Sequence, residues 1–477
     1  MKEEEISYYE KKVSENPINL DDWKAGVHNK TLKIAIIGIG RIGLPTSLMI
    51  AKAGYITFGI DIKQDYVEKI NQGGGDPPIK FILDEPNLPE ILKEVISNGK
   101  FSASTDFVKY ISLANIIIIC VPTPITSQKV PDYSKINEVI KNIGSLKELI
   151  KDKIVIIEST VSPLYVKNIG IPLLEKISGL EINKDFWIAS CPERADPGNI
   201  IKNLKSIPRI VGACNENASK IVASFYKTVF DVNIIQVSNP RTANSVKLIE
   251  NIFRVVNIAF SNEIAQLSRL LDIDYMEVLK GAKSKYNFLP HYPGPGVGGP
   301  CLPANPYFLI TDGYLVSFTP NLVRLATEIN QRQPAHITEL IFEGLNKIKL
   351  PISETPIAVL GISYKPDVKD TQMSSVFPIL NDLRQYGASI TLYDPYFANE
   401  EEQGLKIELN YKFIKNNYPI ILVHTGHNEF RSQEFMDFLK ECKNLKMIID
   451  CQNIYEKEDL PKGIYYIGVG RPLKYLE

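Results

Sequence analysis

The chain has 477 residues, 44% hydrophobic and 23% charged, with a formal net charge of −1; this is the make-up of an ordinary globular protein long enough for two or three domains. The balanced charge excludes a polybasic surface for nucleic acid or anionic lipid, and no apolar run reaches the roughly 20 residues that a bilayer span needs. The acidic start, Met1 to Glu5, has none of the features of a signal peptide. The six cysteines show no CxxC and no metal-ligand spacing, so the expectation is a cytoplasmic protein with reduced thiols, no metal, and no membrane or nucleic-acid partner.

Residues 1–30 are polar and charged, with Trp23 as the large aromatic anchor besides Tyr8 and Tyr9. They read as an N-terminal extension that docks one helix on the body. Lys33 to Ile37 is a buried-strand run. Gly38, Gly40 and Gly43 follow as G-x-G-x-x-G, then a helical stretch from Leu44 to Ala53, a second strand from Tyr55 to Ile60, and Asp61 at its end. A strand, this glycine spacing, a helix and an acid 18 residues past Gly43 make a dinucleotide-binding βαβ unit. The turn Gly38-Ile39-Gly40-Arg41-Ile42-Gly43 brings pyrophosphate to a helix N-terminus, and Asp61 meets the adenosine ribose hydroxyls. An acid there repels a 2′-phosphate, so NAD is expected rather than NADP.

Strand and helix continue to alternate. Ala114 to Val121 runs into Pro122-Thr123-Pro124, Ile154 to Ile157 into Glu158-Ser159-Thr160, and Phe186 to Ser190 into Cys191-Pro192-Glu193-Arg194-Ala195-Asp196-Pro197-Gly198. Ligands of open α/β sheets sit beyond the carboxyl ends of strands, which points to Thr123 and Thr160, although a threonine there also serves as a helix cap. Residues 240–280 read as one long helix, with Lys247 and Asn251 on one face and Arg254 a turn further on.

Gly294 to Pro306 holds four glycines and four prolines in thirteen residues. Such a stretch is neither a helix interior nor a central strand; it is a shaped loop that either presents Cys301 as a nucleophile or holds an incidental buried thiol. After a helix from Leu322 to Ile348 and a linker from Leu350 to Glu354, a second α/β unit opens with Ile357 to Gly361. Further strands are expected at Ser389 to Tyr393, Ile420 to His424 and Met447 to Asp450. The expected architecture is α/β: two Rossmann-like doubly wound domains joined by a long central helix and a helical middle domain. The boundaries are 1–30 (extension), 31–238 (NAD domain), 239–350 (central helical domain with the cysteine loop) and 355–477 (a second domain suited to a nucleotide-like ligand).

In order along the chain, Gly38 to Gly43, Val121-Pro122-Thr123-Pro124, Glu158-Ser159-Thr160-Val161, Pro192-Glu193-Arg194 and Gly294 to Cys301 resemble the UDP-glucose/GDP-mannose dehydrogenase family. Tyr364-Lys365-Pro366-Asp367 and Tyr393-Asp394-Pro395 add C-terminal support. The Pro192 and Gly296 segments are similar to the branch acting on UDP-N-acetylglucosamine or UDP-N-acetylmannosamine. The resemblance implies NAD-dependent, four-electron oxidation of a sugar C6 hydroxyl to a carboxylate, for surface polysaccharide synthesis, by a homodimer or higher homo-oligomer. It implies Cys301 as nucleophile, Lys247 and Asn251 at the oxyanion, and Thr160, Glu193 and Asn305 as catalytic-site residues that position water and substrate. It further implies that Glu193, Arg194, Ala195, Lys247, Asn251, Arg254, Gly298, Tyr364 and Lys365 contact the UDP-sugar, Gly298 by letting it approach closely.

The chain departs from the family pattern at Asn305, Gln372 and Gln452, where aspartate, arginine and arginine are usual. Lys285-Tyr286-Asn287 stands in place of a His-x-Arg segment of the mannosamine enzymes. UDP-glucose is therefore the alternative substrate, and a non-catalytic NAD- and nucleotide-sugar-binding paralogue the alternative class. A 3-hydroxyacid-type dehydrogenase accounts for the first domain and leaves residues 355–477 unexplained.

Overall fold

Isoleucine-rich runs make the strands, and their strict alternation decides what each face covers. The computed structural model describes residues 18–75, 79, 82, 85–195 and 198–477. These divide into two units, Met1–Ile249 with Tyr307–Ser317, and Glu250–Pro306 with Phe318–Glu477.

In the first unit the described strands are β1 (Lys33–Ile37), β2 (Ile56–Ile60), β3 (Phe101–Ser104), β4 (Ile116–Ile119), β5 (Lys153–Ile157), β6 (Phe186–Ser190), β7 (Arg209–Ala213) and β8 (Ile234–Val237). They form one sheet in the order β3-β2-β1-β4-β5-β6-β7-β8, parallel except between β6 and β7. The first six follow the Rossmann order. Ile34, Ile36, Ile116, Ile118, Ile154 and Ile156 enter one core, while Ala35, Ile37, Ile117, Ile119, Val155 and Ile157 enter the other. A period of two on strands covered from both sides yields a doubly wound sheet. The expected N-terminal helix is Leu20–Asn29; Val27 is buried in the first core and Trp23 packs against it. Tyr8 and Tyr9 lie outside the described residues.

The second unit repeats the device. Its strands β9 (Pro356–Leu360), β10 (Ser389–Tyr393), the short β11 (Glu401–Glu402) and β12 (Leu405–Lys406), β13 (Ile420–Val423), β14 (Met447–Asp450), β15 (Tyr465–Gly468) and β16 (Arg471–Tyr475) give a main sheet ordered β10-β9-β13-β14-β15-β16. Only the β15–β16 pair of this sheet is antiparallel. Ile357, Val359, Ile420 and Leu422 face one core and Ala358, Leu360, Ile421 and Val423 the other. Two long helices, Pro240–Leu270 and Asn321–Ile348, supply the helical middle. No helix among the described residues is long and apolar enough to cross a membrane.

Two expectations need correction. The helix expected over 240–280 ends at Leu270, and a separate helix spans Tyr275–Ala282. Asp272 between them takes φ of 60°, and the Asp274 side chain accepts from the Met276 N–H as an N-cap, so the apolar periodicity runs on across a break made by two aspartates. The glycine-proline loop is also shorter than expected. Its last two residues, Asn305 and Pro306, open the helix Asn305–Leu315, where a proline costs no helical hydrogen bond.

Candidate active site

In the first unit, the turn after β1 is built on contact distance. Gly38 has φ of +87°, and a Cβ on Gly43 would lie 1.9 Å from the Gly38 carbonyl oxygen, so both positions demand glycine. Gly40 differs: a Cβ there would meet nothing within 4 Å. Its bare backbone leaves open space beside the helix Gly43–Lys52, whose N-terminus has no side-chain cap. Asp61 follows β2 directly, and its side chain accepts only weakly from the Lys63 N–H at 3.3 Å. An open cradle, a helix N-terminus and an acid at the next strand end fit a dinucleotide. Ile39, Arg41 and Ile42 fill the three non-glycine positions of this turn.

Thr123 and Thr160 are brought together: the Thr123 hydroxyl donates to the Thr160 carbonyl at 2.6 Å, tying the ends of β4 and β5. Glu193 is held by the Arg194 and Ala195 N–H groups, each 2.7 Å from Oε1, and by Arg209 Nη2, 2.9 Å from Oε2. Burial alone would raise its pKa, but Arg209, these N–H groups and Lys247 together hold it below the usual carboxylate range. Its contribution to folding is therefore complete above that range and is lost as pH falls through the depressed value. The Arg194 guanidinium donates to the Pro208 carbonyl at 2.6 Å. Asp196 and Pro197 of this loop lie outside the described residues.

In the second unit, buried asparagines root the cysteine loop. The Gly294 N–H donates to Asn262 Oδ1 at 2.9 Å. Asn262 Nδ2 donates to Asn330 Oδ1, and Asn330 Nδ2 to the Val255 carbonyl. Asn262 and Asn330 are 0% and 1% exposed, where losing a partner costs about 1–3 kcal/mol. At the far end, Cys301 offers its carbonyl to the N–H groups of Ala304 and Asn305, and Asn251 Nδ2 donates to Asn305 Oδ1 at 2.6 Å. Cys301 is the exposed cysteine of the six. Burial pushes the thiols of Cys191 and Cys214 up to about 12 and that of Cys442 to about 11, with Cys120 and Cys451 well above the ordinary value. Arg254 is exposed.

Gly298 is closely approached from within the chain. A Cβ there would lie 2.8 Å from Tyr364 Cβ and 3.0 Å from the Met373 carbonyl oxygen, so its smallness admits the loop after β9. Gly299 donates to the Gln372 carbonyl, which docks the cysteine loop on that same segment, close to Lys365.

Family models match in chain order: the UDP-glucose/GDP-mannose dehydrogenase NAD binding domain over residues 32–230, the central domain over 241–332 and the UDP binding domain over 358–457. The chain belongs to the UDP-glucose/GDP-mannose dehydrogenase family. It is 36% identical over 440 residues to a UDP-N-acetyl-D-mannosamine dehydrogenase of Pyrococcus horikoshii, covering 92% of this chain and 99% of the relative. It is 27% identical to a UDP-N-acetyl-D-glucosamine 6-dehydrogenase of Salmonella typhi, covering 90% and 97%. A solved structure of the UDP-D-ManNAc dehydrogenase from Pyrococcus horikoshii superposes with a TM-score of 0.83 at 35% identity, covering 92% and 99%. The protein is thus an NAD-dependent nucleotide-sugar dehydrogenase, an oxidoreductase acting on CH–OH.

Several residues that hold the candidate site residues in place escaped the sequence reading. Arg209 opens an apolar strand, and a lone charge heading such a run was the available signal. Asn262 and Asn330 sit on helices whose amphipathic pattern says nothing about buried amides. Gln452 accepts the Gly426 N–H at 3.0 Å through Oε1, a contact that an arginine, a donor only, could not make.

Proposed function

We propose that this dehydrogenase oxidises C6 of a UDP-N-acetylhexosamine, UDP-N-acetylmannosamine or UDP-N-acetylglucosamine, to the uronate, and that it does so through covalent attachment to Cys301. The relatives' substrates support the sugar class. The observation that carries the covalent step is Cys301 itself: an exposed thiol on a loop anchored at both ends, while Cys191, Cys442 and Cys451 are buried and Cys120 and Cys214 half-buried.

Residues 31–238 bind NAD, residues 239–350 carry the cysteine loop, and residues 355–477 bind the nucleotide sugar. NAD⁺, when bound, supplies the hydride acceptor for each of the two oxidations. Removal of a proton and a hydride from the C6 alcohol leaves an aldehyde. The Cys301 thiolate adds to that carbonyl, with the oxyanion stabilised by Lys247 and Asn251, giving a thiohemiacetal. Loss of the second hydride, with the hydroxyl proton, forms a thioester. Water positioned by Thr160, Glu193 and Asn305 attacks the thioester, releasing the carboxylate and the thiol. Tyr364, Lys365, Arg254, Arg194 and Ala195 hold the nucleotide sugar. The product feeds surface polysaccharide synthesis in the cytoplasm. A homodimer is supported by Phe253, Phe260 and Leu267, exposed at a seven-residue spacing along one helix.

The deciding experiment is NADH formation against a panel of UDP-hexoses with product stoichiometry. Two NADH per uronate from an N-acetylhexosamine is the expected result. Preference for UDP-glucose would move the substrate assignment, and no turnover with any of them would leave a binding paralogue.

The Asn251–Asn305 hydrogen bond also addresses the departure from the usual aspartate. A carboxylate at 305 still accepts from the Asn251 amide, so Asn305→Asp should change kcat by less than about tenfold, some 1.4 kcal/mol of barrier. Steady-state kinetics check this; abolished turnover would mean a pocket built around the amide.

A further inference from the structure

We infer that Arg209 is a positioning residue of this reaction, holding Glu193 as a fixed hydrogen-bond acceptor with one open site rather than as a proton-accepting base; this rests on the place proposed above for Glu193 in the substrate site. An ionised carboxylate offers about four acceptor sites. Three on Glu193 are filled: two at Oε1 by the Arg194 and Ala195 N–H groups and one at Oε2 by Arg209. One lone pair of Oε2 is left for a water or a sugar O–H or N–H.

Arg209 is itself locked. Its Nη1 donates to Glu158 Oε1 at 2.9 Å and contacts Cys191 Sγ at 3.6 Å. Its guanidinium lies 4.6 Å and 4.3 Å from the ring centroids of Tyr226 and Phe230. Glu158 is in turn fixed by the Tyr226 hydroxyl at 2.6 Å and the Cys120 thiol at 3.4 Å. The side chains of Arg209, Glu158 and Glu193 are 7%, 0% and 10% exposed. A planar fork bridging two carboxylates is a geometry that lysine cannot reproduce.

Two buried carboxylates compete for one cation. Glu193 also has two backbone donors and the nearby Lys247, and stays below the usual range. For Glu158, burial outweighs Arg209 and the negative charge of Glu193 adds to it, so its pKa is raised. A proton entering the cluster goes to Glu158. Glu193 therefore keeps its charge and its orientation while thiol, alcohol and water exchange protons nearby.

The test uses the full-length enzyme, the variants Glu158→Gln, Arg209→Lys and Arg209→Met/Glu158→Gln, and Glu193→Gln placed in each background as the spectroscopic reference. The infrared difference between wild type and Glu193→Gln reads the Glu193 carboxyl directly, without turnover. We expect a carboxylate at pH 5 in wild type and in Glu158→Gln, and a carboxylic acid in the double variant, where burial is no longer opposed by the guanidinium. In kinetics, the double variant should lose about 10- to 100-fold in kcat with a smaller change in KM. A new acid limb should appear at higher pH, and Arg209→Lys should recover part of both. Should the double variant fail to fold by circular dichroism, Glu158→Gln decides: its acid limb stays put or moves to lower pH, and a move to higher pH overturns the inference. A protonated Glu193 at pH 5 in wild type, or an unchanged infrared signal and pH profile in the folded double variant, also overturns it. A wild type that oxidises no UDP-hexose defeats the proposed function, while the infrared reading still decides the role of Arg209.

Discussion

Cys301→Ser should bind NAD and the nucleotide sugar with near-native affinity yet form no uronate. The substitution replaces one atom on an exposed side chain, and both anchors of the loop are untouched: the Gly294 N–H to Asn262 and the Cys301 carbonyl to Ala304 and Asn305. What is lost is nucleophilicity, because a hydroxyl oxygen is a far weaker nucleophile toward a carbonyl than a cysteine sulfur. Removing a covalent nucleophile costs at least about 10³-fold in kcat in comparable systems, so carboxylate should fall below detection. At most one equivalent of NADH per site should form in a single turnover, from the first oxidation alone. Stopped-flow absorbance with mass-spectrometric product analysis reads both; unchanged uronate formation would remove Cys301 from the chemistry.

The second large effect belongs to the nucleotide turn and separates two glycines that look alike in the motif. Gly43→Ala would drive a Cβ to within 1.9 Å of the Gly38 carbonyl oxygen. Backbone on backbone cannot be relieved by a rotamer change, so the turn itself must open. Overpacking of this kind costs about 1–3 kcal/mol, and where the strain falls on the phosphate-binding turn, NAD affinity should drop at least about tenfold, with a lowered Tm. Gly40→Ala meets open space, so its Tm should stay unchanged while NAD affinity still falls, because the added methyl fills room left for the ligand. Calorimetric titration with NAD and thermal melts of both variants test this. Gly40→Ala binding NAD like wild type would mean that the open space is not the cofactor's.

Much of the scaffold was legible because its information is local. β1, β6, β10 and β14 match the expected strands residue for residue, since runs such as Lys33 to Ile37 and Phe186 to Ser190 declare a strand buried on both faces. The helix end at Leu270 was not legible: the apolar period continues into 275–282, and only φ at Asp272 and the cap at Asp274 interrupt it. At Gly298 a glycine in a motif has no side chain to say what comes close, so nothing in the sequence announced the approach of Tyr364, 66 residues away.

The sequence by itself determined the two doubly wound sheets, the NAD fingerprint with Asp61, the identity of the cysteine loop and the family. The sheets, the fingerprint and the loop depend on residue type at short spacing, and the family on the order in which several such motifs resemble its pattern along the chain. The tertiary structure decided which side chains are spent on holding others. Glu193 is pinned by Arg209 and two N–H groups, Asn262 and Asn330 root the loop that carries Cys301, and Asn305 accepts from Asn251. The side-chain pairs Glu193–Arg209, Asn251–Asn305 and Asn262–Asn330 join groups 16 to 68 residues apart. Their partners are selected by burial, which leaves a polar atom no water to fall back on, and burial exists only once the chain has folded.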